Sequence, residues 1–419
     1  MYIQVIRTGE TLTAVALRTG TNVEQLLAIN GLPGPAVVPG QALLVPSTAY
    51  VVEPGDTLWS ISQISGVPMP VLIRANPGAD RVLYPGRTLR IPPVPRQTAE
   101  IIGYLPLTDP GVTAANIAPW GRQFTWIAVF SHLITDQGDL PPLDDTEAIR
   151  AAYAAGAKPL MSIANMRAGG AFDPELARTM ITNPDVRERL FTNILRVVGD
   201  KGYAGVDSDI ENIPSDLRSE YVDFLAELKR RLGDRPLNVA VPPKYDEVTF
   251  GYARGHDYAG IGRVADRVYL MNYEFHWVGG PPGAIAPLPQ TRRVMLYAAS
   301  LIPRAKLLNG LSTTAYDWEL PDTPENRARP WPDDEAVQIA IRNGSTIRYS
   351  ETDRSPWFRY TEGGKEHEVW FEDARSLTAK LLVVRDLGLR GMGIWHLGAL
   401  NSQLISLMGS FFSPAVERC

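Results

Sequence analysis

Short β-prone runs alternate with helix-forming stretches from residue 100 onward, and this alternation limits the possible folds more than any other feature. Eight such runs occur, at residues 101–104, 126–130, 159–163, 205–209, 237–241, 267–271, 307–311 and 391–395. Apolar residues at helical spacing fill the intervening stretches, as between Leu217 and Leu232. Strands that alternate with helices form parallel sheets, so the pattern predicts an α/β fold, a (β/α)8 TIM barrel, over residues 98–419.

The stretch between the seventh and eighth runs is too long for a single helix. It contains a helix-like segment at 336–342 and β-like runs at 346–349 and 368–371. We therefore predict a small α+β insertion at about residues 319–375, which borders one side of the active-site face of the barrel.

The first 93 residues contain an internal repeat. Residues 2–46 and 50–92 match at a fixed offset of 46, so that Asn30 pairs with Asn76 and Gly40 with Gly86. Each copy has the pattern strand, helix, helix, strand. The sequence therefore predicts two βααβ domains, at residues 1–47 and 48–93.

Composition excludes several classes of function. The formal net charge of −5 leaves no basic face for nucleic acid. The five histidines are not clustered, so no metal site is expected. No apolar run approaches the length of a membrane span, and residues 1–7 lack the pattern of a secretory signal. The single cysteine, Cys419, allows no intrachain disulfide, and we expect a monomer.

Three acidic residues follow one another at alternate positions along the fourth run. Asp207, Asp209 and Glu211 would project to one face of the strand, with the Cβ atoms of the last two about 6–7 Å apart. Mutual repulsion and burial favour a protonated form, which a general acid requires. Glu211 is outermost and is expected to reach the substrate, whereas a solvated strand end or a metal site would be the alternative interpretation.

The repeated units resemble LysM domains, which bind glycans that contain N-acetylglucosamine. The resemblance rests on the G-E-T-L and G-D-T-L turns, the shared asparagine and the closing strand pattern G-x-x-L-x-I/V-P. It implies glycan-binding roles for Gly9, Thr11, Asn30, Gly55, Asp56, Thr57 and Asn76. A duplicated unit without a ligand is the other possibility.

The run that ends at Glu211 resembles the D-x-x-D-x-D-x-E signature of family 18 glycoside hydrolases. By this resemblance Glu211 is the catalytic acid/base, Asp209 orients the 2-acetamido group and Asp207 supports Asp209. Ala204 stands where the signature has its first Asp. The S-x-G-G of chitinases is likewise replaced, by Ser162 through Asn165.

Further matches to the family lie near the ends of the sixth and eighth runs. Met271, Asn272, Tyr273 and Glu274 resemble the family's M-x-Y-D, with Glu in place of Asp. The resemblance implies that Tyr273 hydrogen-bonds the acetamido carbonyl and that Trp395 lies under the sugar ring. Candidate substrate-binding residues are therefore Trp395, Glu274, Asn272, Met271, Asp317, Trp318 and Trp370. For the last three a packing role is the alternative interpretation.

The two LysM-like units before the barrel, with the strings Tyr316-Asp317-Trp318 and 368–374, resemble the spore-cortex-lytic N-acetylglucosaminidases. This implies a retaining, substrate-assisted cleavage of cortex peptidoglycan after N-acetylglucosamine without a metal or organic cofactor, with the LysM domains anchoring the enzyme to the glycan. It also implies location in the spore cortex or coat, without a signal peptide. A chitinase acting on chitooligosaccharides, or a non-catalytic glycan-binding coat protein, would be the alternatives.

Overall fold

The computed structural model describes residues 1–109, 111–167, 169–247, 251–321, 323 and 327–416. Cys419 and a few positions of the predicted insertion lie outside these residues. None of the helices in these ranges is both long and apolar enough to cross a membrane.

The repeat forms two small units with the same order of elements. The first contains β1 (Tyr2–Val5), α1 (Leu12–Thr19), α2 (Val23–Asn30) and β2 (Ala42–Val45). The second contains β3 (Ala49–Val51), α3 (Leu58–Ser65), α4 (Met69–Ala75) and β4 (Thr88–Arg90). In each unit the two strands pair antiparallel, and Thr11 and Thr57 cap the first helices by accepting a backbone N–H.

The barrel follows directly. Its first seven strands are β5 (Gln97–Pro106), β6 (Trp126–Leu133), β7 (Lys158–Ala164), β8 (Gly205–Asp209), β9 (Leu237–Val241), β10 (Arg267–Leu270) and β11 (Leu307–Ser312). The helices between them are α5 (Thr146–Ala154), α6 (Pro174–Thr182), α7 (Pro184–Lys201), α8 (Arg218–Leu232), α9 (Tyr258–Val264) and α10 (Leu288–Leu301).

An α+β insertion follows β11. It comprises β12 (Thr314–Leu320), β13 (Arg329–Pro332), α11 (Asp333–Arg342), β14 (Arg348–Ser350), β15 (Ser355–Glu362) and β16 (Lys365–Trp370). Its antiparallel sheet has the strand order β13-β12-β16-β15-β14 in the described residues. The sheet begins at Thr314, earlier than the predicted 319, because the chain continues in extended form from β11 after a single residue.

The last elements close the barrel. They are α12 (Ala374–Leu387), β17 (Gly391–Trp395), α13 (Ser402–Phe411) and β18 (Phe412–Pro414). β17 pairs parallel with both β11 and β5, so eight parallel strands form a closed ring within the described chain. The predicted TIM barrel is confirmed. Its helices pack on the outside of the strands through one continuous apolar cluster, in which most members are fully buried.

The first repeat unit is joined to the insertion, whereas the corresponding loop of the second is not. Val38 is 5% exposed and belongs to the apolar core of the insertion. Beside it, the Ile347 N–H donates to the Pro39 carbonyl at 2.9 Å. Tyr84 occupies the position of Val38 in the second unit and is 55% exposed. The two copies of one fold therefore present different surfaces to their surroundings.

Candidate active site

Asp207 and Asp209 point into the barrel from β8, as the alternation of side chains requires. Both are buried, and Ser208 between them is buried on the helix side. The strand ends at Asp209, and Glu211 lies two residues beyond it, partly exposed at the carboxyl ends of the barrel strands. This end of the barrel, bordered by the inserted sheet, is called the cleft below.

Asp207 receives three hydrogen bonds from neighbouring strands. Ser162 Oγ donates to Oδ2 at 2.8 Å, while Tyr104 Oη, at 3.0 Å, and Asn238 Nδ2 donate to Oδ1. Burial raises the pKa of Asp207 to about 6, although these donors act in the opposite direction. The hydrogen bonds that position Asp207 thus come from three other strands. The first acid of the family signature, replaced here by Ala204, is not among its partners.

The pKa values of the two upper acids are raised by the same causes. Burial and the nearby charges of Glu211 and Asp207 hold the pKa of Asp209 well above its usual range. Burial, with a smaller effect from Glu274, raises the pKa of Glu211 to about 8. Asp209 Oδ1 is buried without a hydrogen-bond partner in the described structure. The arrangement holds a protonated glutamate beside an unpaired carboxyl oxygen, which suits proton transfer to a bound substrate.

The backbone of Glu211 is held from both sides. Asn165 accepts from the Glu211 N–H at 2.9 Å and donates to its carbonyl at 3.0 Å. His256, which is buried and whose pKa burial lowers to about 4, bonds through Nε2 to the preceding carbonyl of Ile210 at 3.0 Å. Asn165 ends the segment that replaces the chitinase S-x-G-G. The replaced segment therefore supplies two hydrogen bonds that fix the backbone of the candidate acid.

Tyr273 and Trp395 lie across the cleft from β8. The Tyr273 hydroxyl is 3.1 Å from that of Tyr269, whose ring stacks on Tyr104 with centroids 5.0 Å apart. Trp395 is partly exposed at the end of β17 and contacts Phe130 edge to face, with centroids 5.1 Å apart. The barrel centre therefore has an aromatic floor next to the acids.

Glu274 taken as a whole is exposed to solvent, but its carboxylate contacts the inserted sheet. Tyr316 Oη donates to Glu274 Oε1 at 2.8 Å. Desolvation raises the pKa of Glu274, and the tyrosine opposes this shift. Met271 is partly exposed beside the same aromatic cluster. Tyr316 lies in a segment singled out from the sequence but was not itself among the predicted site residues.

Several predicted substrate-binding residues do not face the cleft. Asn272 is fully buried and donates its amide to Asn309 Oδ1 at 2.9 Å. Asp317 lies on the opposite side of the inserted sheet, where Tyr360 Oη and His367 Nδ1 bond its carboxylate at 2.7 and 2.9 Å. Trp318 is fully buried under the Gly280 carbonyl. Each of these three side chains is engaged within the fold, and its assignment as a ligand contact stays a prediction. Trp370, in contrast, remains on the cleft side.

The glycan-binding residues predicted in the repeat units mostly hold the local fold. The amides of Asn30 and Asn76 bond the backbone of the closing strands and of the second helices. Asp56 accepts from Tyr50 Oη and from the Glu53 N–H. Gly9 and Gly55 turn the chain with φ of 77° and 90°. The two threonines are helix caps, so the turn motif itself is structural.

Sequence reasoning missed the residues that act through others. Asn165, Asn238 and His256 are buried polar residues whose active-site partners lie 31 to 46 positions away in the sequence, and a single sequence carries no signal for such pairs. Exposed aromatic residues near the cleft, Trp277 and Tyr252, were also missed. Their position in loops after strands was the available signal. Among the described residues no group of three or more potential ligands could hold a metal ion.

Comparison with known proteins assigns each part of the chain. The sequence model of "Glycosyl hydrolases family 18" matches residues 115–399, and that of "LysM domain" matches residues 5–46 and 50–92. The chain is 34% identical to the putative sporulation-specific glycosylase YdhD of Bacillus subtilis over 95% of both proteins. It is 33% identical to the cortical fragment-lytic enzyme of the same organism, covering 99% of this chain and 98% of the relative. The crystal structure of the Bacillus cereus spore cortex-lytic enzyme SleL superposes with a TM-score of 0.91 at 29% identity, over 99% of both chains.

Proposed function

The chain belongs to the family 18 glycoside hydrolases and carries two LysM domains, and on this premise we propose that it cleaves spore-cortex peptidoglycan after N-acetylglucosamine. The observation that carries the proposal is Glu211, clamped at the end of β8 with a raised pKa beside Asp209. The choice of cortex glycan is supported by the full-length likeness to relatives named for cortex lysis. Action on the spore is part of the same proposal.

The first step requires a proton at Glu211. With a pKa of about 8 the carboxyl is protonated at neutral pH and donates its proton to the glycosidic oxygen. The acetamido carbonyl oxygen of the same sugar attacks the anomeric carbon as the glycosidic bond breaks. The products are the departing chain, now bearing a hydroxyl, and a cyclic oxazolinium ion.

Asp209 and Tyr273 stabilise the cyclic cation. Asp209 lies beside Glu211 with an oxygen free to accept the acetamido N–H, and Tyr273 can donate its hydroxyl to the acetamido oxygen. The nearby charge of Asp207 disfavours ionisation of Asp209 and so contributes to its raised pKa. Glu211, now ionised, takes a proton from water, which opens the ring from the opposite face and retains the anomeric configuration. Trp395 and Met271 contact the sugar from below.

The proposed function is tested by digesting purified spore cortex and chitooligosaccharides in parallel. We expect new reducing ends at N-acetylglucosamine from cortex, identified by mass spectrometry, and a β-anomer as the first product by NMR. Faster release from chitooligosaccharides would instead indicate a chitinase. No release from either substrate would contradict hydrolysis and leave a glycan-binding protein.

We further propose that the second LysM domain anchors the enzyme to insoluble glycan. Its Trp59 and Tyr84 are 56% and 55% exposed, whereas the first domain has Thr13 and the buried Val38 at these positions. Exposed aromatic rings supply flat apolar surface with little entropy loss on binding. The loop of the first domain that holds Val38 is occupied by the insertion, so the second domain is the better candidate for polymer contact.

A Trp59→Ala/Tyr84→Ala variant is expected to lose about 10-fold in retention on insoluble cortex, since anchor residues dominate such contacts. Sedimentation with cortex measures the bound fraction, and hydrolysis of short soluble fragments should be unchanged. Leu17→Ala is the matched control, because Leu17 is an exposed apolar residue of the first domain. Equal retention of the double variant and wild type would contradict the anchoring role.

A further inference from the structure

A row of four side chains crosses the inserted sheet on the side that faces the cleft. Tyr316 on β12 is directly opposite Trp370 on β16, which is opposite Trp357 on β15, which in turn is opposite Arg348 on β14. Directly opposed residues on neighbouring strands share one face of a sheet. These four residues are called the aromatic row below.

One end of the row lies at the candidate acid/base. Tyr316 donates to Glu274, and Glu274 is close enough to Glu211 for its charge to act on that carboxyl. Tyr316 and Trp370 also belong to the apolar cluster that contains Tyr273 and contacts Trp395. The row is therefore continuous with the floor of the cleft.

The row becomes more exposed with distance from Glu211. Trp370 is 9% exposed, Trp357 is partly exposed and Arg348 is exposed. The two indole rings stack, with centroids 5.6 Å apart and planes inclined by 14°. With strands about 4.8 Å apart, the row extends about 14 Å from Tyr316 to Arg348. This is the length of a short oligosaccharide.

The outer end of the row is a guanidinium with free donors. Arg348 lies over Trp357, 5.2 Å from the ring centroid, and within the described chain it forms no ion pair. Arg359 also lies over Trp357, at 6.0 Å, but Glu368 accepts from its Nε at 2.8 Å and Glu366 is a second partner. Stacking on the indole holds the Arg348 group in place while leaving its planar donors open.

We propose that the aromatic row is a binding site for peptide-substituted glycan, in which Arg348, held against Trp357, binds a carboxylate of the stem peptide. A guanidinium binds a carboxylate through two parallel hydrogen bonds, which gives direction as well as charge. Peptidoglycan carries such carboxylates on the peptides of its muramic acid residues, and a homopolymer of N-acetylglucosamine carries none. The inference rests on the proposed cortex hydrolase and adds the part of the substrate that the enzyme recognises.

The test compares one substrate with and without its stems. Cortex fragments are used intact and after an amidase has removed the peptides, with Arg348→Gln, Arg348→Lys and the control Arg359→Gln. We expect Arg348→Gln to raise KM about 10-fold on intact fragments, with kcat and the kinetics on stripped fragments unchanged. Arg348→Lys should fall between wild type and Gln, and Arg359→Gln should keep the preference of wild type.

The same comparison is repeated as binding in a Glu211→Gln background, measured by calorimetry with intact and stripped fragments. Weaker binding of intact fragments only, on loss of Arg348, supports the proposal whether or not turnover is seen. Equal loss on both fragments, or no preference for intact fragments in wild type, overturns it. Failure of wild type to cleave either fragment would overturn the proposed hydrolase, whereas cleavage of both with equal efficiency would overturn only the role of Arg348.

Discussion

Replacing Glu211 with Gln is expected to lower kcat on cortex fragments by about 10³-fold, because general acid–base catalysis contributes about 10²–10⁴-fold. The amide has the shape of the carboxyl and leaves the Asn165 bonds to the backbone intact. It can neither donate a proton to the glycosidic oxygen nor take one from water. Initial rates with cortex fragments measure the loss.

The pH dependence of the wild-type enzyme should show the same group. Glu211 acts as the acid only in its protonated form, so kcat/KM should fall as pH rises through about 8. Glu274→Gln removes a nearby negative charge, which lowers the pKa of Glu211 and moves this limb to lower pH. The Gln side chain can still accept from Tyr316, so the local structure is preserved.

Stability provides the control for Glu211→Gln. The folded-state pKa of Glu211 is raised from 4.5 to about 8, so the unfolded chain loses this proton first as pH rises. The free energy of unfolding that Glu211 contributes to the wild-type protein therefore falls as the pH rises from about 4.5 to 8. Since Gln does not titrate, the Tm of the Glu211→Gln variant should rise relative to that of wild type over this range. A variant that is folded by this measure yet hydrolyses cortex at the wild-type rate would remove Glu211 from the mechanism.

Replacing Asp209 with Asn is expected to lower kcat by about 10²-fold, close to the cost of removing one preorganised stabilising group. The buried Asp209 side chain has an oxygen without a partner, directed to the region beside Glu211. The amide of the Asp209→Asn variant has the size of the carboxyl group, but it cannot carry the negative charge that stabilises the oxazolinium ion. Because the amide oxygen of Asn can still accept the acetamido N–H of the bound substrate, KM should change much less than kcat.

A thiazoline derivative of N-acetylglucosamine, a stable mimic of the cyclic intermediate, separates this role from general acid catalysis. Asp209→Asn should weaken its binding in proportion to the loss in kcat, and Glu211→Gln should weaken it less. Asp317→Asn is the matched control, because that aspartate is buried in the insertion and bonded to Tyr360 and His367. It should lower Tm with little effect on kcat. Unchanged thiazoline binding in Asp209→Asn would contradict the assisted mechanism.

The barrel could be predicted because its signal is local. Each strand is a short run of β-prone residues between helical stretches, and burial on both faces makes most of these runs largely apolar. The predicted runs fall within or next to the observed strands β5–β11 and β17. The repeat was equally clear, since a fixed offset needs no knowledge of the fold.

The roles of individual polar residues were harder to predict. Asp317 and Trp318 stand beside Tyr316 in the sequence, but strand alternation and packing turn the first to the back of the inserted sheet and bury the second. Only Tyr316 reaches the cleft. From the sequence, Asn30 and Asn76 are compatible both with glycan binding and with a structural role. Only the folded units show that both side chains bond to the backbone of the closing strands.

The positions of the strands and the spacing of Asp207, Asp209 and Glu211 were determined by the sequence alone, because each depends on neighbours within a few positions. The repeat was determined in the same way, because a fixed offset of 46 is visible in the sequence itself. The tertiary structure alone decided which side chains surround those acids and in which copy of the repeat the loop before the closing strand is exposed to solvent. Ser162, Tyr104 and Asn238 meet Asp207 from three different strands, and Val38 is buried where its counterpart Tyr84 is exposed. Such contacts join residues far apart in the chain, and only closure of the barrel brings them within bonding distance.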